Sequence, residues 1–331
     1  MKNGAFKHSK MGKLSLVEIK EAISRSGYLL EQRVETVIEK HGYFVTANAA
    51  YPDPSTGKYR EIDIDAISGF KITRSYDFIF SRILCECENN KCPIVFFIKD
   101  SAISFMHHEE VKCAGLPVQF LVKAPIQKGI TRGKSGCEFR GLSDFLNFEK
   151  YHHYCKGPIS TQYCTFTRKD PNKPWVAFHE DEQHDSLNDL IFSLEATIDE
   201  YYKNYVVPRK NETEYINMEI YYPVLILQGP LYAASVKGEK IKLVKSNHIQ
   251  YRKEYFSRDK HDTYQIDVIT ESFLSKYLGI IEKEMEKAKI IVKRKMQVVR
   301  ESLDKLVEEA RKKRKAETFR DIFESTLKTR L

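Results

Sequence analysis

Two short stretches of the chain place carboxylate side chains at every second residue. The first covers residues 61–65 (Glu-Ile-Asp-Ile-Asp) and the second covers residues 86–88 (Glu-Cys-Glu). Because side chains alternate between the two faces of a strand, Asp63 and Asp65 are expected on one face and the isoleucines on the other. If the two stretches are neighbouring strands, their acids repel one another. A divalent cation that prefers carboxylate ligands, such as Mg²⁺, would relieve this repulsion.

A second interpretation of this alternation is that the acids line the wet face of an antiparallel sheet and have no chemical role. The residues that follow Glu88 favour the first interpretation. Residues 89–91 (Asn-Asn-Lys) are a turn signal, and residues 94–98 (Ile-Val-Phe-Phe-Ile) form an apolar run. Such a run indicates that the acid-bearing strand belongs to a covered sheet, where unpaired acids are costly.

The composition predicts a folded protein with reduced thiols. The chain has 331 residues, of which 42% are hydrophobic and 12% aromatic, which is enough for a real core and excludes the disordered class. No apolar stretch approaches the roughly 20 residues of a membrane span, and we expect no signal peptide and no membrane partner. The seven cysteines lack the spacing of a disulfide framework. Together these features predict a cytoplasmic location.

The positive charge is concentrated near the C-terminus. Residues 271–331 contain 17 Lys and Arg against 11 Asp and Glu, so most of the net charge of +8 lies there. A basic excess favours a polyanionic partner such as nucleic acid. Candidate phosphate contacts lie in a glycine-rich stretch and in the C-terminal region, and they are Lys128, Arg132, Lys134, Arg311, Lys312, Lys313 and Arg314. Solvated surface is the alternative interpretation for both groups.

The glycine-rich stretch is not a phosphate-binding P-loop. Its residues 133–135 (Gly-Lys-Ser) match the end of such a loop, but Lys128 stands where the loop requires a glycine.

Apolar spacing predicts the elements around the acids. A helix is expected from Leu16 to His41 with a break near residues 24–27, and its buried stripe includes Leu30, Val34 and Ile38. Glu31 lies beside that stripe and can project towards the acidic strands. A strand is expected at residues 43–51, ahead of the two acidic strands.

Further along the chain the pattern is less uniform. Residues 93–100 fit a short helix or a buried strand, residues 101–115 fit a helix, and residues 118–122 fit a strand. A second amphipathic helix is expected at 187–205. The strands predicted in the C-terminal half, at 220–227, 231–236, 241–244, 248–256 and 264–269, are expected to extend the same sheet. Asp267, on the last of them, is interpreted as a solvated or turn-facing acid.

A long helix is predicted from Glu271. Its apolar residues step by four and three, as in a heptad seam, and they are Leu274, Leu278, Ile281, Met285, Ala288 and Val292. The seam resumes at Met296 after a slip of one residue. Such a seam pairs either with another chain, as a homodimer or with a partner protein, or with the body of the protein.

The histidines and cysteines do not predict a zinc site from their spacing. The pairs at 107–108 and 152–153, together with Cys85, Cys87 and Cys92, lack the paired spacing of a structural zinc motif. Cys85 and Cys87 flank Glu86, so we expect them to pack as small hydrophobic residues behind the acidic face.

The order of these residues resembles the PD-(D/E)XK restriction-endonuclease-like nuclease superfamily, in particular its Mrr-like branch. The similarity rests on Leu30-Glu31, on residues 60–63 (Arg-Glu-Ile-Asp) and on residues 86–88 with their turn and apolar continuation, within residues 26–100. It implies a core of helix, three strands and helix on a mixed sheet. It also implies Mg²⁺- or Mn²⁺-dependent phosphodiester hydrolysis, with Asp63 and Glu86 as metal ligands, Asp65 as a substitute ligand and Glu31 orienting the attacking water.

One position departs from this family's pattern. The third motif residue is normally lysine, and here it is Glu88. Glu88 could take the proton of the attacking water as a general base, Lys91 could reach back from the turn, or the site could be retired and only bind.

The sequence thus predicts an α/β protein with a restriction-endonuclease-like mixed sheet flanked by helices and a long, coiled-coil-like C-terminal helix. We expect a nuclease-like domain at 14–270, with its core at about 26–125 and an extension at 126–270, followed by a basic helical arm at 271–331. The expected function is a metal-dependent endonuclease acting on DNA, with restriction or genome defence as its role by analogy. A retired nuclease fold that binds nucleic acid or scaffolds a complex is the alternative.

Overall fold

The structure is a computed structural model, and it describes most of the chain in a series of ranges. These are residues 14–53, 56–74, 76–99, 110–115, 119–123, 137–168, 170–178, 181–204, 215–256, 261–301 and 303–304. The basic residues predicted to contact phosphates, at 128–134 and 311–314, lie outside them.

The described residues form a mixed α/β fold. The helices are α1 (Leu16–Arg25), α2 (Tyr28–Lys40), α3 (Leu142–Phe145), α4 (Phe148–Tyr151), α5 (Asp181–Asn204) and α6 (Leu274–Arg294). The strands are β1 (Phe44–Pro52), β2 (Tyr59–Lys71), β3 (Phe78–Glu88), β4 (Ile94–Lys99), β5 (Cys113–Gly115), β6 (Gln119–Lys123), β7 (Cys137–Gly141), β8 (Ile159–Thr167), β9 (Val176–Phe178), β10 (Asn217–Leu227), β11 (Leu231–Lys237), β12 (Lys240–Ser246), β13 (His248–Phe256) and β14 (His261–Thr270).

Twelve of the described strands form one mixed sheet. Its order is β1-β2-β3-β10-β14-β13-β8-β4-β11-β12, with β5 beside β10 and β9 beside β8, while β6 and β7 pair separately. β1, β2 and β3 are antiparallel neighbours, whereas β10 runs parallel to both β3 and β14. The C-terminal strands therefore extend the same sheet, as the sequence predicts.

Two pairs of consecutive strands continue across a shared bend. β3 leads into β4 and β10 leads into β11, and the two chain segments stay parallel neighbours on both sides of the bend. Backbone bonds from Gln228 N to Glu88 O (3.0 Å) and from Ile94 N to Pro230 O (3.1 Å) hold the two segments together there. The residues at 93–100 thus form a strand, and the acidic end of β3 lies at the bend.

The first two helices follow the predicted pattern. Ser15 and Glu18 form a capping box at the start of α1. The helix ends at Arg25, and Ser26 and Gly27 separate it from α2. Leu30, Val34 and Ile38 are fully buried on the inner side of α2. The burial of these side chains against the sheet holds the first turn of α2, which carries Glu31, beside the sheet.

Helices cover both faces of the sheet. α2 and α6 pack on one face, where the core includes Ile64, Ile83 and Cys85. α5 packs on the other face, where the core includes Ile62 and Leu84. Cys85 therefore packs as a small hydrophobic residue behind the acidic side of β3, as predicted.

The apolar seam of α6 packs on the body of the protein. All six of its predicted seam residues from Leu274 to Val292 are buried in the core shared with α2 and the sheet. This is the second of the two predicted pairings, and residues 274–292 are consequently part of the main core rather than of a separate arm. The helix breaks at Lys295, where the heptad seam slips by one residue.

One predicted helix is wrong where it overlaps the described residues. Residues 113–115 form strand β5, which pairs with β10, instead of ending a helix at Gly115. Gly115 has a φ of +129°, and a Cβ there would lie 2.5 Å from the Asn217 carbonyl oxygen, so this close pairing requires glycine. Residues 110–112 are not α-helical either, and the remaining residues of that predicted helix, 101–109, lie outside the described residues. No helix in the described part of the chain has the length and apolar character of a membrane span.

Candidate functional site

Strand β2 is distorted at Asp63. The pairing with β1 passes from Ile64–Ala47 to Ile62–Ala49 and omits Asp63 and Asn48, which has a positive φ of 50°. The pairing with β3 ends at Ile64. Ile62 and Ile64 consequently pack on opposite faces of the sheet, although residues two apart in a regular strand share a face.

This distortion directs Asp63 towards β3. Its Oδ2 accepts a hydrogen bond of 2.7 Å from the backbone N–H of Cys87. Glu86 and Glu88, on either side of Cys87, extend from β3 towards α5, where Glu88 Oε1 accepts a 3.0 Å hydrogen bond from the Ser186 hydroxyl. Asp63 and the two glutamates of the second acidic stretch are therefore brought together at the end of β3.

The turn after β3 connects the acids to both neighbouring elements. Asn89 donates a side-chain hydrogen bond of 3.1 Å to the Ser26 carbonyl between α1 and α2. Asn90 accepts one of 2.7 Å from the Gly229 N–H, and a Cβ on Gly229 would lie 2.2 Å from the Asn90 carbonyl oxygen. These contacts place the first turn of α2, which carries Glu31, next to the acidic strand end.

Asp189 on α5 is a member of this site that the sequence did not predict. It accepts hydrogen bonds from the Tyr51 hydroxyl (2.9 Å) and from the Arg60 guanidinium. Its charge raises the pKa of both Asp63 and Glu86. An acid just before Leu190 and Ile191 is common on an amphipathic helix, so no sequence signal distinguished it.

The acids of the site interact unfavourably. Burial, and then the charges of Asp63, Asp189 and Glu88, raise the pKa of Glu86 well above its usual range. Burial also raises the pKa of Asp63, against the lowering effect of the Cys87 hydrogen bond. The pKa of Glu31 is raised by burial and by Asp63. Carboxylates that repel one another and have raised pKa values suit a cation.

Asp65 does not join these acids, contrary to the expectation that it shares a face with Asp63. Both of its carboxylate oxygens accept hydrogen bonds from the Arg82 guanidinium, at 2.9 and 2.6 Å. Arg82 also lies 3.6 Å from Glu219. The physical reason is the distortion of β2 at Asp63, because of which Asp63 and Asp65 no longer project from the same face of the strand. Lys91 lies exposed in the turn after β3.

A second group of ionisable side chains is buried away from the acids. His153 lies between two carboxylates: its Nε2 is 2.8 Å from Asp267, and its Nδ1 is 3.0 Å from Glu284. His248 Nε2 is 2.6 Å from the other Asp267 oxygen, and the Tyr277 hydroxyl donates a 2.6 Å bond to Asp267. The interpretation of Asp267 as a solvated acid is therefore wrong, because its exposure is 0%.

Electrostatic attraction governs this buried group. Burial alone would lower the pKa of His153, but Asp267 and Glu284 raise it to about 10. Burial would raise the pKa of Asp267, but the two histidines hold it below its usual range. His152, which is stacked on His153, has its pKa lowered to about 4, chiefly by burial.

No protein-family model, no curated protein and no solved structure matches this chain.

Proposed function

We propose that this protein is a metal-dependent nuclease with its active site at the acidic end of β3. The observation that carries this proposal is the close approach of Asp63 and Glu86, two partly buried carboxylates whose pKa values are both raised. Such a pair is costly in a folded protein unless a function requires it.

The donors at this site fit Mg²⁺ or Mn²⁺. Asp63 and Glu86 would hold the ion, and the hard oxygen ligands of carboxylates are the ones that these cations prefer. When bound, the ion would polarise a phosphate and lower the pKa of a water molecule. Glu31 would orient that water. Glu88, which accepts a hydrogen bond from Ser186, would take its proton as general base, with Lys91 as the alternative assisting group.

The order of elements around the site also supports the proposal. α2, β1, β2 and β3 are followed by α5 and by β10, which is parallel to β3. This is the helix, three-strand and helix order that the resemblance to the PD-(D/E)XK superfamily implies, with β4–β9 inserted before the second helix. Under this proposal the nuclease core would include residues 181–227 in addition to the expected 26–125.

A lysine-rich hairpin supports nucleic acid as the substrate class. β11 leaves the bend beside Glu88 and pairs with β12, where Lys237, Lys240, Lys242 and Lys245 are exposed. Lys237 and Lys240 lie directly opposite one another in this pairing. Lysines on a two-stranded ribbon can contact phosphates without reading sequence.

The second candidate function is a retired nuclease fold that binds nucleic acid. The presence of Glu88 where the family usually has lysine favours this candidate. The hydrogen bond from Ser186 also gives Glu88 a structural role that needs no catalysis. This candidate requires neither catalysis nor bound metal.

Cleavage of plasmid and linear DNA, and of RNA, tests the proposal in the presence of Mg²⁺ or Mn²⁺. We expect cleavage by the wild-type protein and its loss in Asp63→Ala and Glu86→Ala, while Cys87→Ala, which keeps the backbone N–H, stays active. Absence of cleavage together with absence of metal-induced stabilisation would favour the retired fold.

A further inference from the structure

The buried histidine group presents a second set of possible metal ligands, separate from the acids at β3. One ring nitrogen of His153, one of His248 and a carboxylate oxygen of Asp267 lie within 4.8 Å of one another, and Nε2 of each histidine contacts Asp267. They come from three elements: the short 3-10 helix at residues 153–155, β13 and β14. Two histidines and one carboxylate are a common ligand set for Zn²⁺.

The ring orientations distinguish this set from its neighbour. The rings of His153 and His248 are inclined by 59°, and Nε2 of each ring faces the Asp267 carboxylate, so both nitrogens converge on one place where an ion could bind. The rings of His152 and His153 are stacked at 17°, so an ion in the plane of one lies outside the plane of the other. The group of His152, His153 and Glu284 is therefore unsuitable.

The separation of the two inclined rings also fits a shared ion. An ion about 2.1 Å from each nitrogen lies about 3.2 Å from each ring centroid, which places the centroids about 5.2 Å apart for a tetrahedral angle. The observed separation of His153 and His248 is 5.9 Å, and small side-chain adjustments would close this difference.

The surrounding contacts match those of metal-binding histidines in general. Glu284 contacts Nδ1 of His153 at 3.0 Å, on the side opposite the Nε2 that faces Asp267. The Tyr277 hydroxyl bonds Asp267 at 2.6 Å. Carboxylates that bond the second ring nitrogen of a ligating histidine fix its orientation and make it a better ligand.

We propose that His153, His248 and Asp267 bind one zinc-class divalent ion, which fastens β13 and β14 to the 3-10 helix and α6. The ion replaces the Nε2 protons of both histidines: the proton of His153 is released to solvent while its Nδ1–H stays on Glu284, and His248 becomes the tautomer protonated at Nδ1, by solvent exchange. The His248 side chain is 20% exposed and gives the ion a route of entry, whereas Asp267 is fully buried. The nitrogen-rich ligand set distinguishes this site from the all-oxygen site at Asp63 and Glu86, because it selects Zn²⁺ over Mg²⁺.

Metal analysis of the full-length protein tests the proposal. The protein carries Asp63→Asn and Glu86→Gln so that the first site does not contribute, and it is stripped with chelator and then dialysed against Zn²⁺ or Co²⁺. We expect one tightly held ion per chain by elemental analysis, the visible absorption of four-coordinate Co²⁺, and a higher melting temperature with Zn²⁺ than with Mg²⁺.

Three variants assign the ion to these residues. His248→Gln, at a part-exposed position, should lose both the ion and the thermal shift. His41→Gln, which removes an exposed histidine bonded to Ser275, should keep both. Tyr277→Phe should weaken metal affinity about 10- to 100-fold while the protein stays folded.

Two results would overturn the proposal. One is a folded background protein that retains no ion after dialysis, shows no Co²⁺ absorption and gains no stability from Zn²⁺, in which case a protonated His153 alone links the two carboxylates. The other is a His248→Gln variant that binds the ion as tightly as the background protein.

Discussion

The carboxylate of Asp63 accepts a hydrogen bond of 2.7 Å from the backbone N–H of Cys87, the residue that separates Glu86 from Glu88. The bond ties the distorted part of β2 to the acidic end of β3 after their regular pairing has stopped at Ile64. It holds one acid close to two others without using any side chain of β3.

Removing the charge of Glu86 should stabilise the metal-free protein at neutral pH. Because the folded-state pKa is raised, this carboxyl causes no penalty below its unfolded pKa of about 4.3, and the penalty grows as pH rises from there until it is complete above the folded pKa. In the presence of chelator, the melting temperature of Glu86→Gln should therefore exceed that of the wild type at pH 7–8. Near pH 4, about the pKa of glutamate in the unfolded chain, the two melting temperatures should be equal. Glu39→Gln, at an exposed position of α2, is the control. A variant that melts lower at every pH would contradict this account.

The two aspartates of β2 should respond differently to substitution. Asp65→Asn breaks the pair with Arg82, whose side chains are 15% and 21% exposed. We expect a loss of about 2 kcal/mol in unfolding free energy, below the roughly 3–5 kcal/mol of a fully buried pair, and an unchanged stabilisation by Mg²⁺. Asp63→Asn should abolish that stabilisation. Denaturant titrations with and without Mg²⁺ measure both quantities, and equal loss of the Mg²⁺ effect would restore Asp65 as a ligand.

Glu88 and Lys91 can be separated kinetically. If Glu88 accepts the proton of the attacking water, Glu88→Gln should lower kcat by about 10²–10⁴. Lys91→Ala, which alters an exposed turn residue, should leave kcat close to wild type, and Ser186→Ala should have an intermediate effect because it removes one hydrogen bond that orients the Glu88 carboxylate. Single-turnover cleavage is the measurement. A larger loss in Lys91→Ala than in Glu88→Gln would reverse the assignment.

The β11–β12 hairpin should contribute to the salt dependence of DNA binding. Replacing Lys240 and Lys242 by Gln should reduce the slope of log K against log salt by about 0.9 for each DNA phosphate that these lysines no longer neutralise. The exposed Lys283 and Lys293 of α6 supply the matched double variant, which should keep the wild-type slope. Fluorescence anisotropy across a salt series, in chelator to prevent cleavage, gives the slopes. Equal slopes in all three proteins would remove the hairpin from the interface.

Leu278→Ala tests the packing of α6 on the body. Leu278 is 1% exposed in the core beneath that helix, so we expect a loss of about 2–5 kcal/mol in unfolding free energy. The melting temperature should not depend on protein concentration, because the seam is buried within one chain. Lys283→Ala, on the outer face, is the control. A concentration-dependent melting temperature would indicate pairing between chains instead.

Local patterns were sufficient for several elements. The break between α1 and α2, the stripe of Leu30, Val34 and Ile38, and the C-terminal strands follow from residue spacing over one or two turns or strands. Period-two alternation also located Asp63 and Glu86. The alternation failed at Asp65 because the pairing of β1 and β2 is irregular at Asp63, opposite Asn48. The side chains on the two sides of this irregular position therefore do not follow one regular alternation between the faces of the sheet.

Long-range contacts explain what the sequence did not predict. Asp189 reaches the acids from a helix about a hundred residues further along, and the histidine group joins residues 153, 248, 267 and 284. Such groups have no fixed spacing, so only the fold brings them together. The heptad seam of α6 was recognised, but its spacing alone did not decide what it packs against.

The position of β10 beside β3 also has a consequence for the newly made chain. Residues 89–216 separate these two parallel neighbours, so the ribosome completes the acidic strand long before the strand that covers its free edge. Until residue 227 has been synthesised, β3 has a partner on only one side, and an unpaired edge invites association with other chains. Nascent chains that stop before β10 therefore expose this edge of β3, and they are the species for which we expect the greatest need of chaperones.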